Sequence, residues 1–198
     1  MQESTGCLGR QVKSAAKTAG TSACRTIESG SSFLSKLQPV IGVAFVMFLM
    51  LPLVLATGCC NRQSPIEEAG KAYQSGDFAR AAALFAPAAE KGDPEAQANI
   101  AFMYYCGMHV EKSHKLAAEW YRRAADRNHP TAQFSLGTMY ENGEGLSRSL
   151  EEAYFWYSLA EKQGDKDAQR LRRELELKLS KAQVTSQKKR VSDWKPGN

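Results

Sequence analysis

The sequence contains few of the residue types that most often build catalytic and metal centres. Only three histidines and five cysteines occur among 198 residues. The cysteines are odd in number and form no CxxC pair, so they predict neither a disulfide framework nor a zinc site. Cys106, His109 and His114 lie close together, and we weigh a metal site there against ordinary surface loop residues. We predict no enzyme, no catalytic residue, no metal and no cofactor.

A strong charge of one sign is also missing. The formal net charge is +5, with the cations concentrated at the two ends and a mildly acidic middle. Three arginines of the tail, Arg170, Arg172 and Arg173, are followed on the same helix by Glu174 and Glu176, and such a mixture of charges is typical of a solvated helical cap. We therefore predict no nucleic-acid partner. Attraction of this tail to anionic lipid headgroups remains open.

The N-terminal third of the sequence has the pattern of a targeting segment: a polar stretch followed by an apolar membrane segment. Residues 1–38 are rich in Ser, Ala, Gly and Thr, so we expect them to be largely disordered. The stretch Val40–Ala56 has no charged side chain, and a helix of its length reaches the lower limit for crossing a bilayer. We predict a transmembrane helix or signal-peptide segment over residues 39–58, with a buried core helix as the alternative. Lys36 and further upstream cations place the N-terminus in the cytoplasm.

The sequence "LATGCC" directly follows the apolar stretch. It resembles the lipobox of bacterial lipoproteins, in which a cysteine is acylated after signal cleavage, and Cys59 would then carry the lipid. An uncleaved signal anchor is the alternative. Either anchor predicts a bacterial cell-envelope protein that is tethered to the membrane. The domain that follows would lie on the periplasmic, extracytoplasmic side.

A 36-residue repeat dominates the second half of the chain. "AQANIAFMYYCGMH" begins at Ala96, "AQFSLGTMYENGEG" begins at Ala132, and "AQ" returns at Ala168. Identical residues recur at this spacing in the pairs Met103 and Met139, Tyr104 and Tyr140, Gly107 and Gly143, and Trp120 and Trp156. A fixed period in this range indicates a solenoid of stacked helix pairs. The catalytic alternative weakens, because the glycines of "GEG" fit the repeat rather than a phosphate loop.

Helix start and stop signals fall at the expected places within each unit. Pro94 and Pro130 stand at first helical positions, and Gly107 and Gly143 stand where first helices must end. Capping boxes are predicted at Ser64–Glu67, Ser149–Glu152 and Ser180–Gln183. A shorter unit precedes the two full ones, and a charged terminal unit follows them, as a solenoid cap requires.

These residues resemble the Sel1-like repeat, a relative of the tetratricopeptide repeat. The resemblance rests on "AQ..LG.MY..G.G....S..EA..WY..A...G" and departs from it at Ala101, Met108 and Asn128, where the family usually has Gly. It implies an all-α, right-handed α-solenoid of Sel1-like helix pairs over residues 64–179, preceded by the hydrophobic helix. A C-terminal capping helix and tail over residues 180–198 completes the predicted organisation.

The resemblance also implies a function and a binding surface. Such bacterial proteins are generally envelope adaptors, so we expect a non-catalytic scaffold that holds a protein partner in its concave groove. The alternatives are an envelope hydrolase or accessory acting on cell-wall material, and a membrane-surface module that uses the basic tail. In tetratricopeptide-like stacks the first helix of each pair lines the concave side, which here implicates Glu67, Lys71, Gln74, Phe102, Tyr105, Phe134, Thr138, Glu141 and Arg170. For the three aromatic residues, packing against a neighbouring helix is the alternative.

Overall fold

The computed structural model describes residues 64–197, and all regular structure within that range is α-helical. Eight helices follow one another: α1 Pro65–Gln74, α2 Phe78–Glu90, α3 Pro94–Cys106, α4 His114–Asp126, α5 Pro130–Asn142, α6 Leu150–Lys162, α7 Lys166–Lys178 and α8 Lys181–Asp193. Within this range, no helix has the length and apolarity needed to cross a membrane. The predictions for residues 1–38, for residues 39–58 and for Cys59 fall outside the described residues.

The predicted helix starts are confirmed, with one correction. Ser64 and Ser180 each form a complete capping box with the residue three positions later. Ser149 forms only half of one: its side chain accepts from the backbone N–H of Glu152, but the Glu152 carboxylate does not return to it. That carboxylate instead accepts a hydrogen bond from Arg190 on α8, 3.1 Å away. A long-range ion pair with Arg190 has replaced the local hydrogen bond of the capping box.

The backbone conformation at the helix ends explains why glycine recurs there and why Asn128 can replace it. Gly107 and Gly143 end α3 and α5 in the left-handed region, at φ 71° and 76°, which glycine adopts without steric cost. Asn128 follows α4 at φ 65°, and asparagine is one of the few other residues that tolerates this conformation. Met108 is buried, and its sulfur lies 3.7 Å from the Tyr73 hydroxyl. The departures at Asn128 and Met108 therefore leave the fold intact.

Neighbouring helices pack in chain order, which confirms the all-α solenoid. The pairs α1–α2, α3–α4 and α5–α6 form helical hairpins, and each second helix also packs on the first helix of the next pair. Small residues sit at the closest approaches: Ala96, Ala101, Ala117, Ala124, Ala132, Ala153 and Ala160 are fully inaccessible. Because a single hairpin cannot cover its own apolar side, the buried residues of neighbouring hairpins share a core, which consists of two apolar clusters, and the larger one draws on all three hairpins.

The last helix does not extend the stack. Helix α8 packs against α6, and its Val191 and Trp194 join the apolar core of the earlier units. Arg172 on α7 pairs with Glu161 on α6 and with Glu176, which in turn accepts from Lys188 on α8 at 2.8 Å. This network links the last three helices.

Cys106, at the end of α3, is disulfide-bonded, which the cysteine spacing did not predict.

Candidate partner-binding surface

The first unit presents the most accessible part of the predicted concave row. Glu67, Lys71 and Gln74 are all exposed on α1. The Glu67 carboxylate is committed locally, because it accepts the Ser64 backbone N–H at 3.2 Å in the capping box. Lys71 and Gln74 therefore offer the polar groups with most freedom to contact another molecule.

Phe102 and Phe134 belong to the core, so the packing alternative describes them. Their side chains are 6% and 7% exposed. Phe102 lies edge-on to Tyr73, with ring centroids 6.3 Å apart, and Phe134 packs on Tyr157 at 5.6 Å. The two residues occupy different positions of the 36-residue repeat, with Thr138 as the counterpart of Phe102 and Ala98 as the counterpart of Phe134, and an aromatic ring packs against each of them. These two residues cannot act as the accessible aromatic anchors that a groove requires.

Tyr105 is only partly buried and has polar partners on the loop side of the stack. Its hydroxyl donates to Glu144 Oε2 at 2.7 Å, and its ring stacks on His114 at 4.9 Å. Burial and the neighbouring Glu144 carboxylate raise the pKa of Tyr105 to about 12, so the phenol stays protonated and donating. His114 thus has a packing role. In the described part of the chain, no group of three His, Cys, Asp or Glu residues could hold a metal ion.

Thr138 and Glu141 form a small polar cluster one turn apart on α5. The Tyr157 hydroxyl lies 3.1 Å from Thr138 Oγ1 and 3.0 Å from Glu141 Oε2, so these two oxygens are the acceptors for its single proton. Lys178 on α7 approaches the Glu141 carboxylate at 3.8 Å. Both α5 side chains keep partial exposure. The cluster is anchored by the fold and still presents a carboxylate to solvent.

Arg170 continues the row on α7. It is exposed, and its guanidinium pairs with Glu174 one turn later at 2.8 Å. An exposed pair at this helical spacing contributes about 0.3–0.5 kcal/mol. A partner carboxylate could therefore replace Glu174 at little cost. The accessible part of the predicted row is therefore polar and mixed in charge, because Phe102 and Phe134 are buried and Tyr105 is only partly exposed.

Sequence reasoning missed a side-chain hydrogen bond between repeats. Glu95 at the start of α3 lies 3.0 Å from His129, the residue that caps α5. His129 Nδ1 accepts the backbone N–H of Ala132, so its Nε2 carries the proton that Glu95 receives. This hydrogen bond lowers the pKa of Glu95. The sequence did contain a signal for this contact. Asp93 and Asp165 cap their helices at the same repeat position, and the unit between them has His129 there instead.

Comparison with known families and structures agrees with this architecture. The Sel1 repeat model matches residues 68–93, 94–129 and 130–165. A protective antigen of uropathogenic Escherichia coli strains, which displays an SLR fold, is similar at 25% identity and a TM-score of 0.62. A Sel1 repeat protein from Oxalobacter formigenes is similar at 31% identity and a TM-score of 0.52.

The two likenesses cover parts of longer proteins. The first covers 66% of this chain and 29% of the antigen, and the second covers 54% of this chain and 44% of the Oxalobacter protein. This chain therefore spans less than half the length of either structure. No curated protein matches the sequence significantly.

Proposed function

Because this chain belongs to the Sel1 repeat family, whose members are generally scaffolds for protein–protein interaction, we propose that it holds a protein partner along its first-helix row. The observation that carries the proposal is the set of exposed or half-exposed polar side chains on first helices at both ends of the stack. These are Lys71 and Gln74 on α1, Thr138 and Glu141 on α5, and Arg170 on α7. A partner that spans the row would meet positive charge at its ends and a carboxylate between them.

The core position of Phe102 and Phe134 changes the kind of recognition we propose. Without accessible aromatic anchors, the row binds mainly through hydrogen bonds and ion pairs. Such contacts favour specificity and fast association over raw affinity, and they weaken as salt is added. We therefore propose a reversible, salt-sensitive complex with a partner that is rich in carboxylates near Lys71 and Arg170.

We also propose that the protein acts at the bacterial cell envelope, with the repeats outside the cytoplasm. The support is the uncharged stretch Val40–Ala56 with cations before it and the lipobox-like sequence that ends at Cys59. Intact mass of the membrane-extracted protein tests the anchor. Acylated Cys59 at a new N-terminus indicates a lipoprotein, an unprocessed chain indicates a signal anchor, and recovery only in the soluble fraction contradicts both.

Partner capture tests the binding row. The immobilised full-length chain is exposed to detergent-solubilised envelope extract, and captured proteins are identified by mass spectrometry. We expect the Lys71→Glu, Arg170→Glu double variant to lose the captured partner, because repulsion replaces attraction at both ends. Lys91→Glu, which reverses an exposed cation at the end of α2, is the matched control and should retain it. Equal capture by all three chains would contradict the proposal.

A further inference from the structure

A cavity of about 560 Å³ lies where the returning helix α8 meets α6 beside the end of α4. We call it the α4/α6/α8 cavity. Three aromatic side chains, Phe155, Trp156 and Trp194, supply the apolar part of its wall. A volume in this range is typical of sites that hold a small organic molecule. None of the lining residues belongs to the first-helix row.

The wall contains a buried hydrogen-bond donor without a partner. Trp156 is only 2% exposed, and its indole Nε1 has no acceptor among the described residues. The repeat accounts for the ring, because Trp120 holds the same position one unit earlier, but it does not account for the buried N–H. Trp120 keeps partial exposure, whereas Trp156 is packed in the cluster that Val191 and Trp194 join. A buried tryptophan usually finds an acceptor, and leaving its N–H without one costs free energy.

Arg122 holds a guanidinium beside this indole. Its Cζ lies 5.4 Å from the centre of the Trp156 ring and 5.5 Å from that of Tyr140, and its Nη2 donates to the Tyr140 hydroxyl. No carboxylate within the described range forms a salt bridge with it. A guanidinium has several N–H donors in one plane, which suits the oxygens of a carboxylate or phosphate. Arg122, bonded to one neutral hydroxyl, therefore keeps donors for an incoming oxyanion.

Two lysines add positive charge to the same wall. Lys189 on α8 and Lys195 after it line the cavity, and both are exposed. Neither has an ion-pair partner among the residues described. The fourth cation of the wall, Arg190, is already paired with Glu152 at 3.1 Å. Arg122 and the two lysines are therefore the cations that an incoming anion would meet.

Two carboxylates in the wall limit this attraction. Asp126 lies one turn after Arg122, and Asp193 ends α8. Burial raises the pKa of Asp126 even though Arg122 attracts its charged form, so this attraction does not offset the desolvation of the carboxylate. An oxyanion bonded to Arg122 would replace a weak attraction with direct hydrogen bonds. It would bind more tightly if the charge of Asp126 were removed.

We propose that the α4/α6/α8 cavity binds a small organic oxyanion, a carboxylate or a phosphate ester with an apolar body. Its oxygens accept from Trp156 Nε1 and from the Arg122 guanidinium, and its body packs on Phe155 and Trp194. Because Nε1 is closed off from solvent, the ligand reaches it by displacing flexible side chains of the wall. The site is separate from the first-helix row, so it goes beyond the proposed scaffold function.

The indole N–H resonances of the full-length protein, with isotope-labelled tryptophan and a neutral detergent, report on this contact at the atom concerned. The chain has three tryptophans, and replacing each by Phe assigns its resonance. Hydrocinnamate is the carboxylate probe, phenyl phosphate is the phosphate probe, and hydrocinnamamide is the uncharged control. Either anion should move the Trp156 resonance downfield saturably with a Kd of about 0.1–1 mM, and the amide should bind at least about tenfold more weakly. Trp120, which lines a different cavity, should not respond. The anion with the lower Kd identifies the ligand as a carboxylate or as a phosphate ester.

Paired variants test the charged groups that carry the site. Arg122→Gln should raise the Kd of the tighter anion at least about tenfold. Arg123→Gln, which removes the neighbouring arginine of α4 that does not line this cavity, is the matched control and should leave the Kd unchanged. Asp126→Asn should lower the Kd about threefold, because a carboxylate beside the site is lost. Circular dichroism checks the fold of each variant, and Asp126→Asn keeps the proposal testable should Arg122→Gln not fold.

Three results would overturn the proposal. Neither anion moves the Trp156 resonance at about 20 mM, the amide binds as well as the anions, or Arg122→Gln and Arg123→Gln behave alike. Inorganic phosphate is a further probe. If it binds as tightly as both organic anions, the proposal also fails, because the cations would then attract ions without a site for an apolar body.

Discussion

Replacing Phe102 or Phe134 with alanine should destabilise the stack, and replacing both should largely unfold it, rather than impair a binding surface. Each side chain is more than nine-tenths buried and contacts another aromatic ring. Truncation of a buried phenylalanine costs about 3–5 kcal/mol, from lost transfer free energy and the cavity left behind. The two residues belong to separate apolar clusters, so their effects should add to about 6–10 kcal/mol. A domain of this size has about 5–15 kcal/mol in total.

Urea unfolding followed by circular dichroism at 222 nm measures this directly. Each single variant should shift the midpoint to lower urea with an unchanged slope, and the double variant should be largely unfolded without denaturant. Leu177→Ala is the control, since that side chain is 89% exposed and its loss should cost less than about 0.5 kcal/mol. If the free energy of unfolding changed by less than about 1 kcal/mol in both single variants and partner capture was lost, the packing interpretation would be refuted. Phe102 and Phe134 would then be partner-binding residues of the groove.

Three further outcomes are expected. Gly137→Ala should cost about 1–3 kcal/mol in urea unfolding, because the added Cβ would lie 2.7 Å from the Tyr157 ring, and a neutral result would contradict this close approach. Glu95→Gln should destabilise the protein at pH 7, and the difference should shrink as the solution is acidified: the His129 hydrogen bond lowers the Glu95 pKa, so its stabilisation is fully present above the unfolded value of about 4.3 and is lost as pH falls through the lower, folded value. A pH-independent difference would assign the effect to packing. Trp194→Ala should cost about 1–2 kcal/mol and speed hydrogen exchange in α8, and unchanged protection there would show that other contacts hold the helix.

The helices and their ends were predictable because their signals are local. Proline at a first turn, a serine cap and glycine at a left-handed end each act within a few residues, and Pro94, Ser180 and Gly107 all behave as their positions predict. The 36-residue spacing then fixed which elements repeat. The local capping signals and the repeat spacing therefore predict the same helices, and such agreement is typical of a sequence that specifies one fold.

The binding surface was less predictable because exposure depends on side chains from distant parts of the chain. Phe102 occupies a row position, but Tyr73 in the preceding unit covers it. Glu152 fits a local capping box, but Arg190 takes its carboxylate across 38 residues. The return of α8 onto α6 also has no local signal, since Val191 and Trp194 show an apolar stripe without showing its destination.

Site-specific photo-crosslinking in living cells tests the central claim of a partner-binding first-helix row most directly. A benzoyl-phenylalanine placed at Gln74 lies on the exposed part of α1, and one at Ala83 lies on the exposed side of α2. We predict a discrete, ultraviolet-dependent protein adduct from position 74 that is absent from position 83 and weakened by added salt in isolated envelopes. Adducts from position 83 alone, or none from position 74 in a folded and expressed chain, would contradict the account.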